Sequence, residues 1–357
     1  MALRGPRSSI PSWFAVFPAL VAIVLLTCPV SPAWARPIPA DSATSTSNGG
    51  GPSTHPTFAF VLDYASSKVT VINTSSFKIA AHVGLGMANP APRGACFSPI
   101  THEVYVADSG SNLKGLISII NATNNSLAAV IDDGGATPWA CAYDPVNGNV
   151  YVTNYGSASV SVISRHDRVV AQVRLGQGPS SLDVNPATGD VFVLCTGNSS
   201  RLTSMGQFFV LSGSNHSVLA RVQLGLNVYP IALAFDPSSD RLFVGTSGRF
   251  WIFNGSDLSL VSQGRPAISG GQPENAFDNP FTSRVYWLEG AVYAFNMTSG
   301  LPIHLQKAGT PYGGAYDPLS HGLYFAGGST FAAFRSDNTK VASLSFGTIL
   351  TGIAVAY

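Results

Sequence analysis

One spacing recurs through this chain and constrains its fold more than any other feature. Two prolines stand seven residues apart, and an aromatic residue follows six after the second. The frame reads Pro92, Pro99, Tyr105; Pro138, Pro145, Tyr151; Pro179, Pro186, Phe192; Pro230, Pro237, Phe243; Pro273, Pro280, Tyr286; and Pro311, Pro318, Tyr324. Successive first prolines lie 38 to 51 residues apart. A period of that size marks supersecondary units that bury their apolar faces only against one another.

Each unit reads as four short strands. The segment between the prolines is small and apolar, as in Ala232-Leu233-Ala234-Phe235, and suits a crowded innermost strand. Asp144-Pro145-Val146-Asn147-Gly148-Asn149 is a turn, because proline presets φ and Asn-Gly supplies a positive one. Val150 to Thr153 is β-branched and aromatic, as a second strand requires. Ser159 to Val162 alternates as a third strand, and Val169 to Leu175 supplies a fourth before Gly176. The Tyr/Phe at the fixed frame position is expected to pack between neighbouring units. The ends complement one another: Ala59 to Asp63 matches a second strand, and Thr351 to Tyr357 matches a first. Six full units and one split unit predict an all-β, seven-bladed β-propeller over 58–357, with the C-terminal strand completing the first blade.

Tyr151-Val152-Thr153-Asn154 is the tetrapeptide that marks the YVTN-repeat family, and the chain resembles that family over roughly residues 58–357. Other units carry degenerate forms, such as Tyr105-Val106-Ala107-Asp108 and Phe243-Val244-Gly245-Thr246. The resemblance implies a propeller of secreted or surface-layer proteins. It implies no particular activity, since one fold hosts many functions.

The N-terminus reads as a secretory signal over residues 1–35. Arg4 and Arg7 precede an apolar stretch from Trp13 to Leu26, and Ala33-Trp34-Ala35 forms a small-x-small cleavage site. The alternatives are an uncleaved anchor, short for the roughly 20 residues a spanning helix needs, or lipidation at Cys28. Residues 36–57 are rich in Ser, Thr, Gly and Pro and read as a linker. No second apolar segment follows, so no C-terminal anchor is expected. Cleavage takes the net charge from +1 to −1, because Arg4 and Arg7 leave with no acid. Charged residues are only 10% of the chain, against about 25% in ordinary soluble domains. No basic cluster points to nucleic acid. Cys96, Cys141 and Cys195 show no metal-ligand spacing. Cys96 and Cys141 fall in equivalent strands one position out of step, so a bridge between them is not expected.

The frame also numbers the face where ligands usually meet a propeller. Residues after the first proline are Arg93, Trp139, Ser180, Ile231, Glu274 and Tyr312, with Thr351 equivalent in the split unit. Residues after the second strands include Asp63, Asp108, Asn154, Cys195, Thr246 and Glu289. Arg93, Trp139, Glu274 and Tyr312 stand out against small neighbours and suit stacking and charge-assisted hydrogen bonds to a sugar or a peptide. The plainer reading makes them solvated rim residues, and makes Asp63, Asp108 and Asn154 turn caps. None of the seven histidines falls in either ring, so no catalytic residue, metal or cofactor is assigned. Asn73, Asn121, Asn124, Asn198, Asn215, Asn254 and Asn296 each open an Asn-x-Ser/Thr sequon. The long Cys195–Gln207 stretch reads as a specificity loop. The expected function is a secreted or cell-surface binding or scaffold module for a protein or glycan. Alternatives are a propeller enzyme of lactonase or streptogramin-lyase type and a structural surface-layer component.

Overall fold

The structure is a computed structural model. It describes residues 57–357 except 87–90, 111–113, 198–204, 227, 247, 266–274, 289–291 and 305–310. The expected signal segment, nearly all of the linker, Glu274, Glu289 and Asn198 lie outside the described residues. So does the middle of the expected specificity loop.

The described chain forms β-strands joined by turns, gathered into six antiparallel sheets with a β-propeller arrangement. Five sheets are four-stranded meanders that follow the repeat. One runs Pro138–Tyr143, Val150–Asn154, Ser159–Ile163 and Val169–Arg174. The inner strands neighbour one another in turn, Pro92–Ser98 beside Pro138–Tyr143 and so on around the assembly.

The expectation of seven blades is corrected: the described chain forms six sheets. The sixth sheet is six-stranded, in the order Gly313–Tyr316, Leu323–Phe334, Lys340–Ala356, Phe58–Asp63, Lys68–Asn73, Lys78–Gly84. Two of its strands are long, at 12 and 17 residues. The physical reason lies at Leu350. Elsewhere the frame places a proline at the start of the inner strand, which removes a ladder donor and separates it from the preceding strand. Leu350 keeps its N–H and pairs opposite both Gly328 and Asp63, so Lys340–Ala356 runs on without a break. Its last residues pair with the first strand, Phe58 opposite Ala356 and Val61 opposite Ile353.

The frame aromatics are core. Tyr105, Tyr151, Phe192, Phe243, Tyr286 and Tyr324 are buried, as is Phe60 in the first strand. Each cluster joins neighbouring units. Tyr105 packs with Val150 and Val152, Phe192 with Leu233 and Val244, and Phe243 with Trp287 and Phe295. Within the six-stranded sheet, Tyr324 and Phe331 pack on Val61 and Ile353. Burying one such ring contributes about 1.5–3 kcal/mol. The tyrosines add a tether, as where Tyr105 Oη donates to Asp167 across the sheet boundary at 2.7 Å.

The turn after the second proline places its third residue in the left-handed region in every frame. Those residues are His102, Gly148, Gly189, Asp240, Ser283 and His321, with φ between 48° and 75°. A side chain there strains the backbone. His102→Gly is therefore expected to stabilise the fold by up to about 1 kcal/mol, after subtracting the extra backbone entropy of glycine. Thermal unfolding checks this, and a lowered midpoint would refute it.

Cys96 and Cys141 form a disulfide, with Cα atoms 5.6 Å apart, which corrects the expectation that they stay unpaired. The one-residue offset is what permits the bridge. The two strands belong to different sheets that pack face to face, so the facing side chains come from opposite parities of the two strands. Both cysteines lie in the cluster between those sheets. Cys195 is buried and free, and burial pushes its thiol up to about 12, so it is an inert core residue.

Candidate functional site at the mouth of the inner strands

The starts of four inner strands carry a device that sequence spacing alone does not show. In four sheets the ladder skips one residue directly after the first proline. The skipped residues are Arg93, Trp139, Ser180 and Ile231. A bulged residue is freed from pairing, and its side chain is re-aimed. All four line a single cavity of about 400 Å³, together with Tyr312 and Thr351. That volume is in the range of ligand pockets.

Close approach of the inner strands shapes the cavity wall. A Cβ on Gly94 would stand 2.7 Å from the Trp139 carbonyl oxygen and 2.8 Å from Ala140 Cα. Only glycine allows Arg93 and Trp139 to sit this close on adjacent strands. The Arg93 guanidinium carbon lies 4.5 Å from the Trp139 ring centre and 5.0 Å from that of Tyr64. It is thus flanked by aromatic rings from the two neighbouring sheets, an arrangement that attracts the cation electrostatically. Tyr155 supports Trp139 at 5.2 Å between centroids.

Two polar groups in this lining have no partner among the described residues. Arg93 Nε is buried with no acceptor, and the Ser180 hydroxyl is buried without a hydrogen bond. Ser180 as a whole is only 5% exposed. Thr351 differs, since its hydroxyl donates to the Pro92 carbonyl at 2.7 Å.

The described members of the expected second ring do not join this lining. Asp63, Asp108 and Asn154 are buried, and the reason is local hydrogen bonding. Asp108 Oδ1 accepts the N–H groups of Ala91 at 2.6 Å and Gly110 at 3.0 Å. Burial pushes its carboxyl above the usual range. Asp63 accepts from Ser66 N–H at 3.0 Å and from the hydroxyls of Ser66 and Thr348. Asn154 Nδ2 donates to Ser161 Oγ at 2.8 Å. These side chains turn inward to hold the loops behind the mouth. Tyr64, Ser181, Asn275 and Ile349 line the cavity and were not singled out from sequence. Tyr64 carried a signal: it follows Asp63 as Tyr155 follows Asn154.

No histidine lines the cavity among the described residues. His102 and His321 lie in turns between first and second strands. Among the described residues, no three His, Cys, Asp or Glu side chains gather as a metal site, and no helix is long and apolar enough to cross a membrane.

No family model matches the chain, and no curated protein matches it. A search of solved structures finds similarity to a propeller in the crystal structure of a nidogen/laminin complex. That match has a TM-score of 0.51 and 14% sequence identity, covering 84% of this chain and 98% of the other. At that identity the likeness shows the β-propeller fold alone.

Proposed function

We propose that this chain is an extracellular or cell-surface binding module that takes a protein ligand at the Arg93–Trp139 mouth. The carrying observation is the cavity itself. Bulged positions of successive inner strands converge on one concave site, with half-buried aromatic rings and unpartnered donors. The structural neighbour comes from a complex of two proteins, which favours a protein ligand over a glycan.

Two features support an extracellular setting. The Cys96–Cys141 disulfide suits an oxidising compartment, as does the signal-like segment over 1–35. The described sequon asparagines lie at turns after third strands, for example Asn73, Asn121, Asn254 and Asn296. In each of these four, Oδ1 accepts the N–H of the hydroxyl residue two positions on. Nδ2, the atom that would carry a glycan, makes no bond to the described protein.

The test is binding of the purified chain to an array of extracellular proteins and glycans. Trp139→Ala is expected to weaken any protein hit about ten-fold or more, as loss of a central aromatic anchor does. If the wild-type chain binds nothing on the array, or if Trp139→Ala leaves a hit unchanged, the mouth is not the binding site.

A further inference from the structure

We infer that the mouth is built for a carboxylate, and that the segment it captures is an acidic peptide. This rests on the proposal that the mouth binds protein, and adds the chemistry of the group it selects.

Arg93 is the sole charged side chain lining the cavity among the described residues. No hydrogen bond or ion pair from the described protein takes up any of its donors. With its guanidinium against the Tyr64 and Trp139 rings, Arg93 has its in-plane N–H groups left to interact. That edge matches the two oxygens of a carboxylate. Among the described acids, Asp63 and Asp108 stand closest to the mouth in the frame, and both are committed to local N–H groups. Neither neutralises Arg93.

Ser180 provides an independent second indication. Its hydroxyl is buried, lines the same cavity and lacks a partner. An unsatisfied buried donor costs stability, and a bound acceptor removes that cost. One anionic group that accepts from both Arg93 and Ser180 would satisfy both unpartnered donors of the lining.

The peptide source follows from the proposed protein ligand, and the rest of the lining accommodates it. Ile231, Ile349 and Ala140 suit the aliphatic residues that flank an acidic side chain, and Ser181, Asn275 and Tyr312 carry polar groups that suit the peptide's backbone amides. The carboxylate itself has two sources in a peptide, an Asp or Glu side chain or a free C-terminus.

The experiment uses the full folded chain and follows the Trp139 indole N–H by NMR, assigned from a Trp139→Phe spectrum. The probes are capped pentapeptide mixtures with Asp at the centre and aliphatic residues around it, the same mixtures with Asn at the centre, and mixtures with a central Ala and a free C-terminus. A glucuronate oligomer is titrated in parallel. The expected result is that one acidic mixture moves the Trp139 signal, with binding about ten-fold or more tighter than its Asn counterpart. The Asp or free-terminus arm identifies the source. Arg93→Gln is expected to abolish that preference while leaving the melting temperature and the Trp139 line shape unchanged, and Arg93→Lys to restore part of it. Equal binding of the Asp and Asn mixtures overturns the carboxylate assignment and leaves the mouth as a binding site. Arg93-dependent binding of glucuronate without peptide binding overturns the peptide. If no probe moves Trp139, both this inference and the binding site it rests on fall.

Discussion

Replacing Cys96 and Cys141 together by alanine is expected to lower the unfolding free energy by about 4 kcal/mol. The two residues are 45 apart in sequence, and closing a loop of that length removes roughly this much chain entropy from the unfolded state. The native side of the balance changes little, because alanine fits two small positions in the cluster between the sheets. Changing both cysteines also avoids leaving an unpaired thiol. The measurement is the urea midpoint followed by tryptophan fluorescence, with and without reductant. Reduced wild type is expected to unfold where the double variant does, and the variant itself to ignore reductant. A wild-type midpoint insensitive to reductant, or alkylation of Cys96 in the untreated native protein, would show that the bridge does not form.

The bridge also has a place in function. Pro92–Ser98 and Pro138–Tyr143 lie in different sheets, so no backbone ladder joins them. Cys96 stands three residues after Arg93, and Cys141 two after Trp139. The disulfide therefore fixes the spacing of the two walls that carry the cation and its aromatic neighbour. Loss of the bridge is expected to loosen the Arg93–Trp139 contact together with global stability.

The frame made most of this fold legible before any coordinates. A proline, a second proline and an aromatic at fixed intervals report backbone facts: a missing donor, a turn and a buried ring. The same logic explains where the reading failed. Leu350 stands in place of the first proline, and without that interruption Lys340–Ala356 runs through and joins what the spacing had separated. Side-chain parity within equivalent strands does not reveal the disulfide, because stacked sheets meet through opposite parities. At the site, the frame gave Arg93, Trp139, Ser180 and Tyr312 as neighbours of the first proline. It did not give the bulge that re-aims the first three, which exists only in the pairing. Asp108 and Asn154 show the converse. Their register was readable, but their inward hydrogen bonds were not, because a capping acid and a ligand-binding acid look alike in sequence.

Thermal stability is expected to rise when the protein is acidified from pH 8 to pH 5, opposite to the behaviour of a fold held by salt bridges. Asp183 and Asp278 lie in the inner strands Pro179–Val184 and Asn275–Asn279. Both residues are half-buried, and desolvation is the largest influence on their carboxyls. Asp183 is pushed up to about 6, although the N–H groups of Phe235 and Val184 donate to it at 2.8 Å. Asp278 is raised further by burial and then by the charges of Asp183 and Asp236. A carboxyl raised above its unfolded value of about 3.9 holds a proton in the folded state that the unfolded chain has released. Its stabilising contribution is complete below the unfolded value and is lost as pH climbs through the folded one. For Asp183 alone the shift corresponds to on the order of 3 kcal/mol between about pH 4 and neutrality. Burial also raises Asp108, Asp133 and Asp144, which act in the same direction. His216 opposes them: burial lowers it, so acidification through about 6.5 protonates the unfolded chain first. One histidine against five carboxyls leaves the sum in favour of the acidic side. Asp278→Asn keeps the shape and removes the charge, so it is expected to raise the melting temperature at pH 8 and flatten the dependence below it. A melting temperature that falls steadily from pH 8 to pH 5, or an Asp278→Asn variant less stable than wild type at pH 8, would show that these carboxyls are charged and compensated in the folded protein.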